Sequence, residues 1–186
     1  LAIAWRSSVI AVDVIEENKQ FFHLQCRSAE IAAISLTFVY AIPHSNYRRL
    51  LWNDLLRLSK SISGPWSVVG DFNDILSSNE RIGGNGGSIS RMTWFQDRVN
   101  DCELVDMGSV GPRMTWKGPK SPGCARLFER LDRAFSNNTL LHSWPDSFVK
   151  VLPRTDFSDH ILYYCILVNV KLLLDQGSHL NLRQCG

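Results

Sequence analysis

Apolar residues come in short runs separated by polar breaks, a spacing that suits strands more than long helices. Residues 1–5, 9–15 and 21–26 are such runs, and Glu16-Glu17-Asn18-Lys19 between the last two predicts a hairpin turn. Residues 31–40 (IAAISLTFVY) are rich in β-branched and aromatic side chains, which predicts a buried strand. The period then changes. Tyr47, Leu50, Leu51, Leu55, Leu58 and Ile62 recur at helical spacing, with Arg48, Arg49, Asp54, Arg57 and Lys60 on the other positions. This predicts a helix over 46–62, with Ser45 as its N-cap and Gly64-Pro65 as its stop. A second helix is predicted over 91–102, with Met92, Phe95, Val99 and Cys102 on one face. Between the helices lie a short strand at 66–69 and a loop over 77–90 whose centre is the run from Gly83 to Gly87. Further strands are predicted at 104–107, 114–116, 127–135, 148–152 and 161–170, with a Gly/Pro loop at 117–125 and a short helix at 137–142. From Asp175 onward no period is visible, and that end is expected to fray. The pattern predicts a layered α/β or α+β domain.

Composition narrows this. A chain of 186 residues suits one domain, or one domain missing an edge, and 45% hydrophobic content argues against disorder as the main state. Gly 12 and Pro 7 exclude a collagen-like or low-complexity chain. A net charge of +2 gives no argument for a nucleic-acid or membrane partner, so any electrostatic case must be local. Five cysteines, Cys26, Cys102, Cys124, Cys165 and Cys185, contain no CxxC pair. That argues against a zinc cage or disulfide framework and fits a reduced intracellular compartment. The apolar stretches at 31–43 and 161–174 are too short or too interrupted for a bilayer span, which needs ~20 residues. The first residues lack a signal-peptide pattern and read at once as a strand, so a missing front is expected.

Chemistry concentrates at a few places. Gly70-Asp71-Phe72-Asn73 follows an apolar strand. In an extended segment Asp71 and Asn73 share a side, where a carboxylate can take a proton from a water that the amide positions. The same residues could instead form an Asx-turn. Asp159-His160 precedes the apolar run from Ile161, where His can donate to a phosphoryl oxygen; a polar turn with a surface His reads equally well. Asp132 lies in Glu129-Arg130-Leu131-Asp132-Arg133, read as a strand with Leu131 and Asp132 on opposite faces or as a salt-bridged strand end. Tyr40 closes the buried strand before Pro43, within reach of a phosphate or as rim packing. The glycine run lacks the Lys-Ser/Thr of a phosphate loop and reads as a flexible connector. His44, His142 and His179 read as surface residues. Arg113, Lys117, Lys120, Arg126, Arg130 and Arg133 interleave with Trp116 and Phe128, a pattern that suits a nucleic-acid backbone or a solvated loop.

GDFN at 70–73, RLD at 130–132 and SDH at 158–160, in that order, resemble the endonuclease/exonuclease/phosphatase (DNase I-like) superfamily. The surrounding text, GPWSVVGDFNDILSSNERIGG, ERLDRAFSNNTLLHSWP and TFVYAIPHSNYRRLLWNDL, resembles the endonuclease domain of plant LINE-type (non-LTR) retrotransposons. The resemblance covers residues 1 to about 168, giving a domain over 1–170 and a divergent tail over 171–186. It implies a four-layered α/β sandwich: two packed β-sheets flanked by helices. It implies phosphodiester hydrolysis with Mg²⁺ or Mn²⁺, DNA as the partner, nuclear action, and neither a membrane nor an obligate protein partner. Residue by residue, it makes Asp71 the group that orients or deprotonates water and Asn73 the group that positions it. His160 would stabilise phosphoryl charge, Asp132 would orient His160, Tyr40 would contact phosphate, and Asp159 would lie near the metal. Arg113, Lys117, Lys120, Arg126 and Arg130 are the expected nucleic-acid contacts. The family's earlier asparagine and metal-binding glutamate have no match here and are expected upstream of Leu1, and Ile161 stands where the family has a small residue. A DNA-nicking enzyme is one expectation. An inactive remnant that at most binds nucleic acid is a second, and a small-molecule phosphatase a third.

Overall fold

The computed structural model describes residues 2–6, 9–29, 33–84, 87–119, 123, 125–152, 163–167, 170–174 and 181–185, the last three as backbone strands. The elements run β1 (Ala2–Arg6), β2 (Ala11–Glu17), β3 (Phe21–Arg27), β4 (Ile34–Tyr40), α1 (Ser45–Ser61), β5 (Trp66–Asp71), a single 3₁₀ turn (Ser78–Glu80), β6 (Arg81–Ile82) and α2 (Ile89–Asp101). They continue with β7 (Val105–Asp106), β8 (Trp116–Lys117), β9 (Phe128–Glu129), β10 (Asp132–Ser136), α3 (Asn138–Ser143), β11 (Phe148–Val151), β12 (Tyr163–Leu167), β13 (Val170–Leu174) and β14 (Asn181–Cys185).

The main sheet has six strands in the order β2-β3-β4-β5-β10-β7. Only β4 and β5 pair in parallel, because the helical crossover α1 joins them; the other neighbours are antiparallel. A second layer is built from β11-β12-β13 and from β1 paired with β14, with β1 beside β13. A small sheet, β6-β9-β8, stands apart from both.

Alternation along the strands fills two cores. Phe22, Leu24, Ile34, Leu36, Phe38, Val69 and Ala134 face the second layer, where Ile3, Val149 and Val151 meet them. Phe21, Val39, Trp66, Val68 and Phe135 face α1 and α2, whose Leu51, Trp52, Leu55, Phe95 and Val99 are buried there. This is the α/β sandwich, with two packed sheets and helices outside. Among the described residues α1 and α2 cover the outer face of the main sheet, and α3 packs beside β5 with Leu140 in the inter-sheet core. Phe72 is fully buried on the helix side, with its ring 5.0 Å from Phe135 and 5.8 Å from Trp52. Anchoring this ring fixes its neighbours, Asp71 and Asn73, at the end of β5.

Several sequence expectations shift. His44, not Ser45, caps α1: its side chain accepts from the Asn46 N–H. The predicted strand over 127–135 is two strands in different sheets, β9 and β10, broken at Arg130-Leu131. The break has a cause: Thr115 Oγ1 accepts from both the Leu131 and Asp132 N–H groups at 3.0 Å, and the Arg130 N–H donates to the Glu80 carbonyl at 3.0 Å. These bonds replace a continuous ladder. The run predicted as one strand over 161–170 separates into β12 and β13, which pair with each other. The end expected to fray supplies β14, which pairs in parallel with β1 from Ala2↔Asn181 to Arg6↔Cys185.

Candidate active site

Tyr40, Asp71 and Asp132 stand in one row across three adjacent strands. Tyr40 is the register partner of Asp71 on β4, and Asp132 is its partner on β10. All three share the face that carries Leu36, Phe38, Val69 and Ala134, so they close the inter-sheet core at the sheet end from which α1 departs. Tyr40 is 36% exposed, whereas Asp71 and Asp132 are 1% and 3% exposed. Directly opposed residues in an antiparallel pair have Cβ atoms about 5 Å apart, and like charges there destabilise the pair. Two carboxylates in that position therefore favour positive charge beside them.

Asn73 is bound to Asp71 in two ways. Its backbone N–H donates to Asp71 Oδ1 at 2.7 Å, and its Nδ2 donates to Asp71 Oδ2 at 3.0 Å. The same Nδ2 donates to the Ala41 carbonyl at 2.7 Å, tying the pair to the end of β4. The Asx-turn and the carboxylate–amide pair are thus one arrangement, not alternatives. Asn73 sits at φ +49°, a left-handed conformation that Asn tolerates better than most residues. Both amide hydrogens are committed, so Asn73 has its Oδ1 left to accept from a water.

Asp159 and His160, the expected metal and phosphate residues, lie outside the described residues, as does Lys120. Asp71, Asp132 and Asn73 supply only oxygen ligands of the hard kind that suits Mg²⁺. Among the described residues, no three His, Cys, Asp or Glu side chains converge to hold a metal ion.

Behind the row lies an ion-pair network that includes Arg130 and Arg133, as the salt-bridged reading of 129–133 allowed, with partners Glu80 and Asp106 that the sequence did not reveal. Arg130 bridges Glu80 Oε1 and both Asp106 oxygens, each at 2.8 Å. Arg133 binds Glu80 Oε2 at 2.8 Å and Asp106 Oδ2 at 3.0 Å. It also lies over the Phe95 and Phe135 rings, 5.4 and 5.8 Å from their centroids. Burial alone would raise the Glu80 carboxyl, but hydrogen bonds and charge from Arg133 and Arg130 hold it below the usual range; Asp106 is lowered in the same way. Arg130, expected as a nucleic-acid contact, has a side chain only 12% exposed, and its guanidinium is ion-paired to two carboxylates. Arg113 is exposed, and Lys117 and Arg126 are half-buried around the small sheet. Thr115, 1% exposed, is a further positioning residue; nothing local in Met114-Thr115-Trp116 signals it, because its partners lie on another strand.

Among the described residues, no helix is long and apolar enough to cross a membrane. The fold is similar to the endonuclease domain of TRAS1, a telomere-specific non-LTR retrotransposon, with a TM-score of 0.61 at 16% identity over 81% of this chain and 66% of that one. It is also similar to the beta toxin of Staphylococcus aureus, with a TM-score of 0.52 at 17% identity over 80% of this chain and 57% of that one. Humanized D. rerio TDP2 gives a TM-score of 0.52 at 15% identity over 86% of this chain and 68% of that one. The chain thus spans under two thirds of the length of the first two structures. No curated protein matches the chain. Residues 1–160, which include the GDFN, RLD and SDH motifs, match the Endonuclease/Exonuclease/phosphatase family, and the chain belongs to that family.

Proposed function

We propose that this chain is a phosphodiester hydrolase that nicks DNA in the manner of a retrotransposon endonuclease. The observation that carries the reading is the in-register row Tyr40–Asp71–Asp132, with Asn73 clamped to Asp71. Asp71 takes the proton of the attacking water, and Asn73 holds that carboxylate in one orientation while its free Oδ1 aligns the water. Tyr40, the exposed member of the row, donates its hydroxyl to a phosphate oxygen. Asp132, opposite Asp71, orients the imidazole of His160, which stabilises charge on the phosphoryl group. The cofactor is Mg²⁺ or Mn²⁺, with Asp159 near it; when bound it neutralises phosphate charge. DNA as substrate is supported by the exposed Arg113 and by Lys117 and Arg126 around the small sheet.

Nicking of supercoiled plasmid with Mg²⁺ or Mn²⁺ tests this, comparing the chain with Asp71→Asn. The expected result is conversion to open circles by the parent and at least a hundredfold loss in the variant. A folded parent that leaves the plasmid supercoiled, or an Asp71→Asn variant that nicks at the parent's rate, overturns the reading.

A further inference from the structure

The N-terminal ends of α1 and α2 meet across an open depression of about 530 Å³. Asn46, Arg48 and Arg49 line it from α1, and Ser90, Arg91 and Trp94 from α2. Among the described residues, none of the lining side chains is a carboxylate. Asp74 serves two of the lining guanidiniums: Arg91 Nε is 2.8 Å from Oδ1 and Arg48 Nε 3.4 Å from Oδ2. Arg49 is exposed and makes no ion pair among the described residues. Two cations therefore share one anion, and the third, Arg49, has none among the described residues. Neither helix has an acidic residue in its first turn, so the positive ends of both helix dipoles add to the same field.

The floor is fixed rather than loosely solvated. Arg48 is only 5% exposed, and its guanidinium also donates to the Pro43 carbonyl. Burial holds the Arg48 guanidinium below the usual arginine range, and the Arg91 charge pushes it the same way. An anion in the depression would oppose both effects. The half-buried indole of Trp94 adds a flat apolar wall beside the charges, a combination that suits a nucleotide better than a bare inorganic ion. The depression also touches the candidate active site, since Arg91 donates to the Asn73 carbonyl at 2.5 Å and Asp74 follows Asn73 directly.

We propose that this depression is a second phosphate subsite, seating a backbone phosphate of the DNA strand whose neighbouring linkage lies over Asp71, with a base or sugar against Trp94. It rests on the reading of the chain as a DNA hydrolase and extends the binding surface to the opposite side of the row from the small sheet. Arg49 is the exposed cation that meets the phosphate, while Arg48 and Arg91, held by Asp74, form its base.

Fluorescence anisotropy with a labelled duplex oligonucleotide tests it, alongside plasmid nicking by the same proteins. The control is Lys60→Glu, a charge reversal in the last turn of α1, about 16 Å along the same helix from Arg49. Arg49→Glu is expected to raise Kd about tenfold and to lower the slope of log K against log salt by about one. Lys60→Glu should stay within about twofold, and Arg49→Lys should recover most of the affinity. Binding by Arg49→Glu at the parent's affinity and slope overturns the subsite, as does an equal loss in Lys60→Glu. If Arg49→Glu weakens binding while the parent fails to nick, the subsite stands and the hydrolase reading falls. If the parent nicks and Arg49→Glu binds normally, only the subsite falls. If the parent binds no DNA, both fall.

Discussion

Asn73 grips Asp71 from its backbone N–H at 2.7 Å and from its side-chain amide at 3.0 Å, and it does so from a backbone at φ +49°. Two substitutions separate the contributions. Asn73→Gly keeps the backbone bond and accepts the positive φ, but loses the amide; Asn73→Ala loses the amide and is strained by about 1–2 kcal/mol. Both should lose most nicking activity. Urea denaturation should place Ala about 1 kcal/mol below Gly in stability; equal midpoints would show that the left-handed backbone is not what Asn73 supplies.

Much of this was legible in the sequence because it is local. The strand before Gly70, the helical period of α1 and the buried face of α2 each follow from residues close together in the chain. The site motifs were legible for the same reason: Asp71 and Asn73 are two residues apart, and the turn they form is their own. The Glu80–Asp106–Arg130–Arg133 network was not, since its carboxylates lie on the 3₁₀ turn and β7, far in sequence from β10. Charge alternation over 129–133 read as a strand or a salt-bridged strand end, yet it marks a break between two sheets, made by a hydroxyl of Thr115 that no sequence period encodes. The pairing of β14 with β1 also joins the two ends of the chain, which no local pattern reveals.

Gly70 immediately precedes Asp71 at φ +153°, and a Cβ built there would lie 1.9 Å from the Val39 carbonyl oxygen. No rotamer relieves a clash with the backbone of the adjacent parallel strand. Gly70→Ala should therefore separate β4 from β5 locally and destabilise by about 3 kcal/mol or more. Thermal denaturation with a Gly64→Ala control, where nothing lies within 4 Å, measures this; similar midpoints for the two variants would contradict the packing.

Glu80 and Asp106 have folded pKa values below their unfolded ones, because Arg130 and Arg133 outweigh the effect of burial. Such carboxylates contribute stability that is fully present above the unfolded value, about 4.3 for Glu, and is lost as pH falls through the folded value. Urea midpoints should thus drop steeply below about pH 4. Glu80→Gln should flatten that slope and cost about 3 kcal/mol at neutral pH, since Arg133 is left buried with one fewer anion. An unchanged acid slope in Glu80→Gln would count against the network as its source.

His23 gives a separate window. It is 4% exposed, and its Nδ1 lies 2.8 Å from Thr37 Oγ1, which also accepts from the Trp66 indole at 2.9 Å. The hydroxyl that accepts from the indole can still donate its proton to the Nδ1 of a neutral ring. Burial lowers the His23 pKa below 6.5, against the pull of Glu16 and aided by Arg57. The unfolded chain then takes up the proton first, so stability present above about pH 6.5 is lost as pH falls below it. His23→Gln should remove this portion of the pH dependence between about pH 6.5 and the carboxylate window; a slope that persists would assign it to another group.

Arg130 and Arg113 stand in the same basic stretch of sequence, yet they should fail in opposite assays. Arg130 is bound to Glu80 and Asp106 and is 12% exposed, whereas Arg113 is exposed. Arg130→Gln leaves buried Glu80 and half-buried Asp106 short of a partner and should cost about 3 kcal/mol in denaturation. DNA binding by its folded fraction should keep the parent's salt slope, because no counterion release depended on that guanidinium. Arg113→Gln should change stability by less than about 0.5 kcal/mol and reduce the salt slope by about 0.9 if it meets one phosphate. Anisotropy titrations at several salt concentrations, run beside urea curves for both variants, read the two effects independently. A reduced salt slope in Arg130→Gln would mean that the guanidinium leaves its carboxylates to meet DNA, and that the network opens on binding.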